Sequence, residues 1–251
     1  MTRRLVTTTV RTPEDIRAFF DTAAGHYAEA HGNAGQLLGY RLAVLRSLLP
    51  PPGPLHLVEL GCGPGEHLLA LCPGYEKATG LDLSPAMIDR ARANHAAMGS
   101  PRSVRFAVDD AARLDRLGDA SVDALFCVGT FEHLPHKVEA LKMIHRVLAP
   151  GATFVCLTLN GDYLWYASLA PSLGLATKHL SSDEAVGARE LHRLLAATGL
   201  QAETTGYWTF IPRGDMPKPL AGLLSGLDRV GRLLRMSSLR GGLYVKATKP
   251  R

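Results

Sequence analysis

Cysteine is scarce and unpatterned: there are four, at 62, 72, 127 and 156, and none stands in C-x-x-C spacing. Neither a zinc cluster nor a disulfide framework organises such a chain, and the thiols read as reduced and buried. No apolar run approaches the roughly 18 residues of a membrane span. Arg3 and Arg4 are not followed by the apolar core of a secretion leader, so a cytoplasmic location is expected. Basic blocks interleaved with aromatics are also lacking. The net charge is +5, but the arginines scatter along predicted helices, which argues against a nucleic-acid partner. A moderate positive field suits an anionic small molecule or a lipid surface equally well. What remains is 46% apolar content in 251 residues, enough for one substantial α/β core without staples.

The densest signal is Val58-Glu59-Leu60-Gly61-Cys62-Gly63-Pro64-Gly65. The apolar run 55–60 reads as a buried parallel strand, and a helix begins at Glu66. Glycines at 61, 63 and 65 permit positive φ and a close ligand, and the helix start offers N–H groups to polar atoms. A dinucleotide site would carry G-x-G-x-x-G/A. Here the third glycine falls one position early, and Glu66 stands where close pyrophosphate approach needs a small residue. Together with Glu59, the segment resembles motif I of the class I S-adenosylmethionine-dependent methyltransferases, small-molecule type, similar to the ubiquinone-pathway enzymes.

Further matches follow in order. Ala78–Asp82 is an apolar run ending in an acid at the carboxyl end of a strand, where a carboxylate can accept from both hydroxyls of a ribose. Ser84-Pro85 reads as a helix N-cap with proline at the first position, leaving Asp82 free. Leu83 and Met87 are placed to sandwich an adenine ring, although Met87 suits core packing equally. Val104–Ala111 resembles the family's V-x-G-D-A segment. The resemblance implies that Asp110 accepts from the adenine amine and the Ala111 N–H faces the ring; Asp109 stands where glycine is commoner, which leaves the choice between 109 and 110 open. Val128 ends a fourth strand, followed by Gly129-Thr130-Phe131-Glu132-His133-Leu134-Pro135, similar to the family's loop after strand four. No N-P-P-Y tetrad of the nucleic-acid amino-methylating enzymes is present.

The resemblance implies S-adenosyl-L-methionine as cofactor and a small-molecule acceptor. His133 is the candidate base for a hydroxyl acceptor, with His136 and His179 behind it, or else a structural residue of the turn. Gly129 replaces the first glutamate of the E-x-x-E-H segment through which some quinone O-methyltransferases bind a metal, so no metal is expected. The stretch Ala23–Tyr27 resembles a lead-in whose tyrosine, Tyr27, closes the cofactor pocket. Arg41 resembles an arginine aimed at the methionine carboxylate. Core packing for Tyr27 and solvation for Arg41 are the alternatives.

The expected fold is α/β: a Rossmann-like, doubly wound, seven-stranded, mostly parallel sheet with an N-terminal helical lid and inserted cap elements. The 1–251 chain divides into a lid over 1–50, a cofactor-binding core over 55–159, and cap elements at 160–187 and 212–240. Pro150-Gly151 is expected to end the helix near 137–148. Tyr163, Trp165, Tyr166 and Leu169 bring apolar groups to the ligand-binding edge. Leucines of 220–234 recur at helical spacing among Arg229, Arg232 and Arg235, which predicts a helix packed on the sheet, or else a lid or a lipid-surface contact. These segments favour an apolar or aromatic acceptor and O-methylation. N- or C-methylation, a cofactor-binding protein with a cyclisation or regulatory role, and a nicotinamide-dependent oxidoreductase are the competing functions.

Overall fold

Seven strands form one sheet in the order 3-2-1-4-5-7-6, parallel except for the last strand, which runs antiparallel between its neighbours. The computed structural model describes residues 8–10, 12–25, 34–99, 103–172, 180–208 and 218–251. Two helices precede the sheet, α1 (Pro13–Ala23) and α2 (Ala34–Leu48). Then come β1 (His56–Leu60), α3 (Glu66–Leu71), β2 (Lys77–Asp82), α4 (Pro85–Ala97), β3 (Val104–Val108) and β4 (Val122–Val128). A 3-10 turn (Phe131–His133) leads to α5 (Lys137–Val147) and β5 (Leu148–Leu159). A π-helical turn (Trp165–Leu169) runs into the short α6 (Ala170–Ser172), followed by α7 (Ala188–Ala197), β6 (Gln201–Trp208), α8 (Lys218–Leu233), a 3-10 turn (Ser237–Leu239) and β7 (Gly242–Thr248).

The central strands read as continuous apolar runs because both faces are covered. On one face Val58, Leu125, Cys127, Phe154 and Cys156 pack under α5 and α7; on the other Leu57, Phe126, Val155 and Leu157 pack under α2, α3 and α4. All four cysteines are free and buried. One boundary differs from expectation. Pro150-Gly151 lies inside β5, because Val122 pairs with Leu148 and Gly151 N–H donates to Lys249, so strand pairing begins before the proline.

α1 begins with a reciprocal capping box between Thr12 and Asp15. Near its end the Asp21 Oδ1 accepts from the Ser84 hydroxyl (2.5 Å) and from Ala86 N–H (3.2 Å), fastening α1 to the start of α4. The Ser84 Oγ in turn caps α4 by accepting from Met87 N–H (3.1 Å). One side chain thus joins the first helix to the carboxyl edge of the sheet.

Candidate functional site

At that edge the chain encloses a cleft of about 940 Å³, open space included. Its floor is the β1–α3 turn. Gly61 has φ +66°, and a Cβ there would sit 2.3 Å from the Thr130 side chain. Gly65 holds the left-handed N-cap of α3 at φ +81°, where a Cβ would meet the Phe106 ring at 2.9 Å. Glycine is therefore required at both ends, and the β1 turn and the loop after β4 meet across Gly61.

Gly61, Gly63, Asp82, Leu83, Met87, Asp110, Ala111, Val128 and His133 all line the cleft. The Asp82 Oδ2 accepts from Gly63 N–H (2.8 Å) and Oδ1 from Ser84 N–H (2.9 Å). It is thus not free, as the capping argument implied, but holds the glycine turn and the start of α4 while facing the cavity. Burial pushes its pKa above the usual carboxylate value, the two N–H donors pull it back, and the nearby Asp21 charge adds to the rise. The two adjacent aspartates both line the cleft and differ in their hydrogen bonds. Asp109 is buried and spends its oxygens on the N–H groups of Asp110, Asp115 and Arg116. Asp110 accepts through Oδ1 from Ala112 N–H (2.8 Å), which leaves its other oxygen with acceptor capacity in a residue that lines the cleft.

Glu59 departs from its expected role. It is 1% exposed and outside the lining; Oε2 accepts from Leu68 N–H (3.0 Å) and Oε1 lies 3.2 Å from His67 Nδ1. Burial raises its pKa, against His67 and Leu68. A carboxylate one pleat below the turn meets an N–H of the first turn of α3, so it braces the loop from beneath and consumes a donor otherwise available to a ligand. Arg41 also stays outside the lining. Its guanidinium stacks 5.5 Å from the Trp208 ring centre, behind Gly129, where a Cβ would come within 3.8 Å of Nη2. Gly65 packs below the cavity. Tyr27 and His179 lie outside the described residues.

His133 forms the opposite wall. Its Nδ1 lies 2.7 Å from Oδ1 of Asp183, whose Oδ2 accepts from Leu180 N–H (2.8 Å). Burial pulls the imidazole pKa down, but the Asp183 hydrogen bond and the Glu132 and Asp183 charges outweigh it, leaving His133 above its ordinary 6.5. The segment carrying Asp183 docks through Glu184 N–H on the Glu132 carbonyl (2.8 Å). Glu132 itself is buried and accepts from the Thr158 hydroxyl (2.8 Å). Asp183 has no neighbour in sequence that marks it; it lies 50 positions from its partner. Phe20 stacks edge-on to His133 at 5.3 Å, and with Pro13 and Ile16 brings α1 over the cleft. Leu134, Pro135, His136 and Ala140 complete that side.

The inserted segments do not cap the cavity as expected. Tyr163 and Trp165 pack with Leu224 and Leu227 in a separate apolar cluster, so the stripe of α8 buries against the π-helical turn and not on the sheet, and the described residues of 212–240 leave the lining untouched. Among the described residues no group of three or more His, Cys, Asp or Glu could hold a metal ion, and no helix is long and apolar enough to cross a membrane.

Residues 58–156 match the family model described as a methyltransferase domain. The O-methyltransferase cnsE of Penicillium expansum is 31% identical over 116 residues, 46% of this chain and 42% of its own length. The chain spans less than half the length of the first curated relatives it matches. Among solved structures, the [4+2]-cyclase SpnF superposes with a TM-score of 0.70 at 17% identity, covering 98% of this chain and 99% of that one. The geranyl diphosphate C-methyltransferase from Streptomyces coelicolor A3(2), solved with geranyl diphosphate and S-adenosyl-L-homocysteine, superposes with a TM-score of 0.69 at 16% identity, covering 94% and 97%. The fold, the glycine turn and the acids at the ends of β2 and β3 agree with that match: over residues 58–156 the chain is similar to a methyltransferase domain.

Proposed function

We propose that the protein transfers a methyl group from S-adenosylmethionine to the hydroxyl of a small apolar or aromatic acceptor. The observation that carries this reading is His133, held by Asp183 at 2.7 Å, in the lining of the cleft that also holds Asp82 and the glycine turn.

The residues present fit the cofactor. Asp82 lines the cavity at the carboxyl end of β2, and each of its oxygens keeps a lone pair beyond its backbone bond, which suits a vicinal diol. Leu83, Met87 and Ala111 offer an apolar slot, and Asp110 an acceptor at its rim. When bound, the cofactor supplies an activated methyl on a sulfonium. The chain's own contribution is alignment and proton removal. With Asp183 ionised, His133 donates through Nδ1, which makes the other ring nitrogen the basic one. A hydroxyl placed against it loses its proton as the oxygen attacks; a neutral amine needs no such base. Pro13, Ile16, Phe20 and Leu134 line the His133 side, which favours an apolar acceptor and excludes water. The four free, buried thiols suit a reducing, cytoplasmic setting.

Turnover with methyl-labelled cofactor against matched phenols, hydroxy acids and amines tests the reading. O-methyl products that form about 10²–10⁴-fold more slowly in His133→Asn support it; amine products indifferent to that change overturn it in favour of N-methylation. A second reading follows from the likeness to a cyclase of the same fold: tight cofactor binding without methyl transfer to any acceptor would mark a protein that uses the cleft for another reaction.

A further inference from the structure

Nine large apolar side chains are exposed among the described residues, and seven of them fall on two segments that pack together. Leu223 (59% exposed), Val230 and Leu233 (78%) project from α8, with Leu234 and Met236 in the turn after it. The π-helical turn adds Leu164 and Leu169. A patch of this kind on an otherwise polar surface marks an interaction site.

The opposite face of α8 is already anchored. Leu224 and Leu227 enter the Tyr163–Trp165 cluster, and the buried Asp228 pairs with Arg240 Nε at 3.1 Å. Gly231 passes so close to Leu239 that a Cβ would lie 2.6 Å from it. The outward leucines therefore do nothing for this fold. At about 100° per residue, Leu223, Val230 and Leu233 span roughly 80° of the helix, and Arg229 and Arg232 occupy the adjoining flank. Both arginines are exposed, as is Arg235 in the following turn. The helix carries a single acid, Asp228, and it is buried in its ion pair, so the outer face presents apolar groups and positive charge with no compensating carboxylate.

We propose that α8 and the adjoining π-helical turn form a docking surface for an anionic lipid bilayer, with the leucines at the acyl boundary and the arginines among the headgroups. Charge decides the occupant. Self-association of this face would bring Arg229, Arg232 and Arg235 against their own copies without an acid between them, whereas an anionic leaflet neutralises all three. The surface lies outside the cleft, and the inference stands independently of the acceptor chemistry.

Co-sedimentation of the full chain with vesicles tests it. With phosphatidylcholine vesicles containing phosphatidylglycerol the protein is expected in the pellet, and with phosphatidylcholine alone, or in ~0.5 M salt, in the supernatant. Each arginine near such a surface is worth about fivefold in partitioning, so Arg229→Gln with Arg232→Gln lowers it about 25-fold. Leu233→Ser with Leu234→Ser removes it by at least tenfold. Both double variants alter exposed side chains, so thermal melting and S-adenosylhomocysteine binding stay as in the parent. Failure to sediment with anionic vesicles, equal binding to neutral ones, or binding unchanged in both variants overturns the proposal. So does a dimer in light scattering that the leucine variant dissociates, which would assign the face to a second copy.

Discussion

The imidazole of His133 and the carboxylate of Asp183 meet at 2.7 Å although 50 positions separate them in the chain. The β4 loop brings one and the segment between α6 and α7 the other, and both are largely buried. A His–Asp pair in that setting orients the ring and raises its basicity, which has consequences for rate and for pH.

His133→Asn is expected to lower kcat by about 10²–10⁴ while leaving S-adenosylhomocysteine affinity unchanged, because general-base catalysis supplies gains of that order. Steady-state turnover beside titration calorimetry separates the two. Equal loss of cofactor affinity would show that the residue only supports the fold.

The pH dependence has a definite sign. A base must be neutral to act, and His133 titrates above 6.5, so activity climbs as pH rises through that raised value. Asp183→Asn removes the group that holds it up; the limb of the pH–rate profile moves to lower pH, while kcat falls. A limb that stays put would dissociate the two residues.

Asp82→Ala is expected to weaken S-adenosylhomocysteine by tenfold to a hundredfold or more, at about 1.5–3 kcal/mol for each hydrogen bond to a charged group. Calorimetric titration of the variant measures it. Affinity equal to the parent would remove Asp82 from the cofactor site.

Gly61→Ala tests the floor of the cleft. The new Cβ meets Thr130 at 2.3 Å in a backbone with φ +66°, and left-handed strain plus overpacking predicts a loss of about 2–5 kcal/mol. Chemical denaturation shows it directly, and a Thr130→Gly second change should recover part of it.

Asp228→Ala leaves Arg240, 7% exposed, without its partner carboxylate, and a broken buried pair costs about 3–5 kcal/mol. Replacing both with apolar residues of similar size should restore most of the stability. The melting temperatures of the three proteins decide it.

Local features of the site were legible in the sequence: the glycine turn, Asp82 and the acids after β3 each sit within a few residues of the strand that positions them. Asp110 was separable from Asp109 only by counting hydrogen bonds, since both are acids at the same strand end. Glu59 has the residue type of a ligand but lies one pleat too low, where an N–H of α3 takes it up. The contact of Arg41 with Trp208, far along the chain, has no local signal in the sequence. Asp183 left no signal at all, since tertiary contacts such as Glu184 N–H on the Glu132 carbonyl bring it to His133. The start of β5 was hidden because proline and glycine look like a helix stop, whereas partners on β4 and near the carboxyl end decide the pairing.

The Ser84 hydroxyl sits at a junction. It caps α4, its own N–H holds Asp82, and it is the hook on which Asp21 of α1 hangs. Pro13, Ile16 and Phe20 of α1 line the cavity, so the hook holds one of its walls in place. The residue that steadies Asp82 in the cavity thus also carries the tether of α1, and a single serine couples two walls of the cleft.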